Sequence, residues 1–229
     1  MKTYLTTLAT VFKENGDAVR AQQQKTYMKG RFSFFGITSP DRKQLQKPFL
    51  QKEYLPSKQE AFGISKELWR KSEREYHYFA IELVAKYKKQ AAIADIVLYE
   101  HLIIHQSWWD TVDFIASNLV GNYFIHFPEQ QKKITDRWLA SNNIWLQRSC
   151  LIYQLKYKNN TNKNQGIVNT KILSHSIESL LGSKEFFINK AIGWALRQYS
   201  RENPDWVVDF VAQHPNLDKL SKREALRLL

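Results

Sequence analysis

Apolar residues recur every three or four positions along nearly the whole chain, the spacing that gathers them on one face of an α-helix. Read coarsely, the pattern predicts helices over 3–13, 17–29, 40–51, 59–71, 73–88, 91–105, 108–119, 129–140, 143–157, 165–181, 185–202, 204–212 and 219–229. Stop and start signals fall at the breaks. Gly36 to Pro40 makes a loop, Ser107 with Asp110 suggests a capping box, and Asn203-Pro204 restarts a helix. The polar run from Asn159 to Gly166 is the strongest loop signal and is expected to be mobile.

An internal repeat overlies this pattern. Tyr78–Tyr87 matches Arg148–Tyr157 in register, and Lys190–Tyr199 gives a third copy containing Trp194. Trp69 and Trp138 precede the first two copies at nearly the same distance. The offset of about 70 residues equals two units of about 35, the length of a helix-pair repeat. The fold class expected is therefore all-α, an α-solenoid with one face left free for binding, over a single domain 1–229. A non-repetitive helical bundle is the alternative.

Composition narrows the partners. Eight glycines and six prolines in 229 residues leave long unbroken segments, in keeping with helices. The formal net charge of +12 points to a polyanion, either nucleic acid or an acidic membrane surface. One cysteine excludes an internal disulfide and the Cys-rich zinc motifs, which suits a cytoplasmic location. The opening residues carry no signal-peptide pattern, and no segment approaches the roughly 18 apolar residues that span a bilayer. A soluble, intracellular protein is expected.

The chemistry concentrates in Ser107-Trp108-Trp109-Asp110-Thr111-Val112-Asp113. Trp109 and Asp113 stand four apart and share a helix face. Asp113 sits among Val112, Phe114 and Ile115, where a carboxylate must reach water or meet a cation, because burying it alone costs several kcal/mol. An aromatic face beside a fixed carboxylate suits the stabilisation of a developing cation. Arg148 follows Trp145 at i+3 and could bind a phosphate or pair with Asp113. Lys190, Trp194, Arg197 and Arg201 fall at i, i+4, i+7 and i+11, one stripe that reads as a phosphate-binding rail or as a solvated face. His101 and His105 have a metal-pair spacing but no third ligand, Cys150 reads as core, and no glycine-rich phosphate loop or acidic metal cluster is present, so no cofactor or metal is expected.

Over essentially its whole length the chain resembles the AlkD-like DNA alkylation repair glycosylases, built from HEAT-like helical repeats. The pieces that carry the resemblance are Tyr27-Met28-Lys29, Gly36–Arg42, SWWDTVD at 107–113, NIWLQR at 143–148, SKEFFINKAIGWALR at 183–197 and Leu220–Ala225. The resemblance implies a concave basic face that binds double-stranded DNA and an active site formed by Trp109, Asp113, Arg148 and Trp194. It implies DNA contacts from Tyr27 and Lys29, with Lys190, Arg197 and Arg201 completing the set. The activity implied is hydrolysis of the N-glycosidic bond of cationic alkylated purines, 3-methyladenine and 7-methylguanine, by a monomer that uses no cofactor and no membrane. In that scheme Asp113 stabilises the sugar cation, the two tryptophans flank the deoxyribose, and Arg148 grips a nearby phosphate. A non-catalytic nucleic-acid-binding relative and a HEAT-type protein-interaction scaffold are the alternatives.

Overall fold

The computed structural model describes residues 2–158 and 166–229, so the expected loop at Asn159–Gly166 lies, apart from Gly166, outside the described residues. The chain divides into two compact units, Met1–Gln90 and Ala91–Leu229. Among the described residues there is no strand; Ser33 and Glu73 form an isolated bridge.

The first unit contains α1 (Lys2–Glu14), α2 (Ala18–Tyr27), α3 (Ser39–Gln46), a short 3-10 turn (Pro48–Leu50), α4 (Lys58–Leu68) and α5 (Arg74–Ala85). Side chains placed just before each helix explain the starts. Asp17 accepts from the Arg20 N–H, Thr38 from that of Asp41, and Ser57 with Glu60 forms a reciprocal capping box. Leu8, Phe12, Ile64, Phe79 and Leu83 are fully buried and make the core. The buried Glu75 carboxylate accepts the backbone N–H groups of Phe35, Gly36 and Ile37, which pins the linker between α2 and α3. Gly36 is required there: its φ is 86°, and a Cβ would lie 2.0 Å from the Asp17 carbonyl oxygen.

The second unit contains α6 (Asp95–Ile104), α7 (Trp109–Phe114), α8 (Gly121–His126), α9 (Pro128–Leu139), α10 (Ile144–Ile152), α11 (Thr170–Glu178), α12 (Phe186–Tyr199), α13 (Pro204–Gln213) and α14 (Lys219–Ala225). A π-helical stretch, Ile115–Val120, joins α7 to α8 without a break. The expected helix over 108–119 therefore runs on to His126. The expected capping box of Ser107 with Asp110 does not form. Trp108 takes the N-cap position without a side-chain cap, and Ser107 Oγ donates to the Ile103 carbonyl at 2.6 Å. The three repeat copies fall on α5, α10 and α12, and their partners Trp69 and Trp138 are both buried. α10 packs against α9, α7 and α12, while α12 packs against α14. These packings bring the SWWDTVD, NIWLQR and SKEFFINK segments together.

Candidate active site

The site begins with two helix starts. α7 opens at Trp109, so Asp113 lies one turn in; Val112, Ile115 and Ala116 are fully buried, which leaves Asp113 at the margin of that apolar face. α10 is started by Asn143, whose side-chain oxygen accepts from the N–H of Trp145 at 2.9 Å and of Leu146 at 3.2 Å. That cap sets Arg148 one turn along α10, opposite Asp113. The guanidinium then meets the carboxylate edge to edge: Nε donates to Oδ1 and Nη2 to Oδ2, both at 2.8 Å. Nη1 donates to the Phe187 carbonyl of α12 at 2.6 Å. One arginine thus ties three helices at a single point.

Arg148 is only 3 % exposed. The expected grip on a phosphate is therefore corrected: its donors face Asp113 and Phe187, and pairing with Asp113 is the alternative the structure adopts. Asp113 differs, with 17 % of its side chain reaching the surface. Burial pushes its carboxyl above the ordinary aspartate value, the bonds and charge of Arg148 pull it back down, and Asp110 adds the least, upward. Each carboxylate oxygen has two lone pairs, so the bidentate pairing leaves acceptor capacity on the open side.

Aromatic rings wall the arginine. Phe187 lies 5.0 Å from both Trp108 and Trp145, those two are 5.7 Å apart, and the guanidinium sits 5.8 Å from the Phe187 ring. Sequence reasoning gave Trp108 and Phe187 no role, although both lie inside the quoted motifs. Their signal was aromatic type alone, which does not separate a wall from ordinary core. Trp109 is half-buried on the same turn system as Asp113. Trp194 is half-buried against the second unit's core, two turns beyond Phe187 on α12, about 10 Å by helix rise.

The basic stripe of α12 is not a free rail. Lys190 pairs with Glu224 of α14 at 2.8 Å, and Arg197 pairs with the other oxygen of the same carboxylate. The two cations hold the Glu224 carboxyl below the ordinary glutamate value, Lys190 contributing most. Gly193 allows this contact, since a Cβ there would come within 2.5 Å of Glu224 Cβ and 2.8 Å of the Ser221 carbonyl oxygen. Arg201 leaves the stripe, because α12 ends at Tyr199; it is exposed in the following turn. In the first unit, Tyr27 ends α2 with 69 % of its surface exposed, and Lys29 follows in the left-handed region at φ 58°. Among the described residues no group of three or more His, Cys, Asp or Glu side chains could hold a metal ion, and no helix is long and apolar enough to cross a membrane.

Fold and site together define an all-α protein of packed helix pairs with an arginine-held carboxylate under a tryptophan-rich wall. The family model for the DNA alkylation repair enzyme matches residues 8–229, and the chain belongs to that family. A solved structure described as a predicted DNA alkylation repair enzyme from Enterococcus faecalis is 30% identical, with a TM-score of 0.84 over 94% of this chain and 97% of that one. No curated protein matches.

Proposed function

We propose that this chain is a DNA glycosylase that hydrolyses the N-glycosidic bond of cationic alkylated purines, 3-methyladenine and 7-methylguanine, in duplex DNA. The observation that carries the reading is the Asp113 carboxylate, fixed by two bonds from a buried arginine yet open on one side next to Trp109. An alkylated purine already carries positive charge, so the bond from sugar C1′ to the base nitrogen breaks without a general acid. The base departs neutral with the electron pair, the positive charge passes to the sugar as an oxocarbenium ion, and water adds at C1′. Its proton passes to Asp113 or to solvent, giving a free base and an abasic site. Asp113 supplies a preorganised anion beside that cation, and Trp109 and Trp194 supply aromatic faces. Arg148 acts as a positioning residue that fixes Asp113. Tyr27, Lys29, Lys190, Arg197 and Arg201 are assigned to the duplex, with Lys190 and Arg197 sharing their charge with Glu224. The protein is proposed to work as a cytoplasmic monomer without cofactor.

The test is single-turnover base release from matched duplexes carrying 7-methylguanine or hypoxanthine. Release of the cationic base alone is expected, since no proton donor is assigned that would activate a neutral one. Comparable rates would remove the mechanism, and binding without release of either base would leave the non-catalytic DNA-binding reading.

A further inference from the structure

Arg148 is buried and cannot grip a phosphate, and an exposed lysine further along the same segment stands where that task can be done. Lys156 lies in the turn that follows α10, and its ammonium donates to Asn118 Oδ1. Asn118 belongs to the π-helical stretch that begins two residues after Asp113. We infer that Lys156 holds a phosphate of the damaged strand beside Asp113, and that Asn118 is a positioning residue that aims it. The inference rests on the glycosylase reading and deepens it.

The π-helical turn makes the placement. In an α-helix a side chain five residues past Asp113 would point about 140° away from it. Here the turn is wider, with the Gly121 N–H bonded to the Ala116 carbonyl five residues back, which swings Asn118 towards the Asp113 side. Asn118 and Lys156 thus meet one step beyond the Asp113–Arg148 pair. Tyr157 fixes the next step: it is buried, and its hydroxyl donates to the Gly121 carbonyl at 2.7 Å. The backbone of Lys156 is therefore held on both sides. The Asn118 amide has a single orientation as well. Its Nδ2 donates to the Phe114 carbonyl at 2.9 Å and to Ser117 Oγ at 3.3 Å, while Ser117 Oγ donates to the Asp113 carbonyl at 2.8 Å. Both amide protons are spent on its own helix, and Oδ1 faces out to the ammonium. Because the amide is neutral, it orders the lysine without cancelling its charge. Arg148 shares its charge with Asp113, and Lys190 and Arg197 share theirs with Glu224. A cation ordered before binding loses less freedom when the phosphate arrives. Asp113 must face the sugar of the lesion, so the backbone in reach of its neighbour is that of the same strand.

The test uses the full-length protein and a duplex carrying a tetrahydrofuran abasic analogue, which is bound but not cleaved. Phosphates around the analogue are replaced one at a time, on both strands, by neutral methylphosphonate. One position on the lesion strand should weaken binding of the parent by about ten-fold, the scale of one charge-assisted hydrogen bond. In Lys156→Met that position should fall silent, with affinity already about ten-fold lower and the salt slope reduced by about 0.9. Asn118→Ala should weaken binding by about three-fold, the scale of ordering one long side chain, and should add nothing in the Lys156→Met background. Asn118→Asp keeps the acceptor but neutralises the ammonium, so the response at the same position should shrink. Melting curves exclude misfolding, and Asn118→Asp carries the Asn118 arm if Asn118→Ala does not fold. The inference is overturned if the salt slope of Lys156→Met is unchanged, or if every sensitive position survives the loss of Lys156. It is equally overturned if the dependent position lies on the opposite strand, or if the Asn118→Ala effect adds in full to Lys156→Met. Base release from a 7-methylguanine duplex, measured on the same preparation, keeps the two readings apart. Release without a Lys156-dependent phosphate sinks only this contact, and such a phosphate without release sinks only the glycosylase.

Discussion

Asp113 and Glu224 are both acidic side chains clasped by basic ones, and they end in opposite electrostatic states. Asp113 faces one arginine inside an aromatic wall, and burial outweighs that partner, so its carboxyl rises. Glu224 faces two cations, Lys190 and Arg197, and their attraction outweighs burial, so its carboxyl falls. The difference separates a site from a fastening. A carboxylate whose charge is under-compensated gains the most from a new cation beside it, which is the situation of a developing oxocarbenium ion. Glu224 is already satisfied on both oxygens and locks α14 onto α12, where Gly193 removes the side chain that would keep them apart.

The largest effect should come from breaking the Asp113 pair at its buried end. Arg148→Met leaves the Asp113 carboxylate without its two charged donors and removes the tie to the Phe187 carbonyl. Removing one partner of a buried pair costs about 3–5 kcal/mol. A thermal or urea melt should show that loss, and a variant as stable as the parent would reduce Arg148 to a surface-like contact.

Asp113→Asn keeps the shape and an acceptor for Arg148 but removes the charge. Excision of 7-methylguanine is expected to drop by about 10²-fold or more, the scale of one lost transition-state interaction, with duplex binding kept. In the parent, base release should fall as pH drops through the Asp113 pKa, and this limb should lie above that of an ordinary aspartate. Acidification of this group costs activity and no folding stability, because the folded state binds the proton more tightly than the unfolded chain does. A variant as fast as the parent would make Asp113 as structural as Glu224.

The smallest effect belongs to Glu224→Gln. The folded state binds this proton less tightly than the unfolded chain, so the clamp stabilises the fold above the ordinary glutamate pKa and loses that contribution as pH falls through the lowered one. The variant should lose that part of the acid dependence. It also frees Lys190 and Arg197, so duplex affinity should rise at low salt. The slope of log affinity against log salt should steepen by up to about 0.9 for each phosphate gained. Unchanged salt dependence would mean that neither cation reaches DNA even when released.

Much of this was legible in the chain. The three-and-four spacing of apolar residues decides helices locally, because each turn repeats the same burial geometry. The helix starts at Asn143, Asn203 and Thr38 follow from side chains a few residues from the amides they cap. The SWWDTVD motif carried Trp109 and Asp113 onto one turn for the same local reason. What local pattern did not contain was which partner each charge takes. Arg148 could have faced a phosphate or Asp113, and α7 packing against α10 decided for Asp113, 35 positions back along the chain. The α12 stripe had the spacing of an open rail, and α14, brought close at Gly193, turned two of its cations inward to Glu224. The continuation of α7 through a π-helical stretch into α8 was likewise set by tertiary packing: Gly121 lets the chain approach Tyr153, where a Cβ would lie 2.5 Å from the carbonyl oxygen. Sequence determined the helices and the residues that bear the chemistry, since both depend on neighbours within a turn. Tertiary structure decided the electrostatics, because the energy of a charge depends on its burial and on partners that only folding brings within about 3 Å.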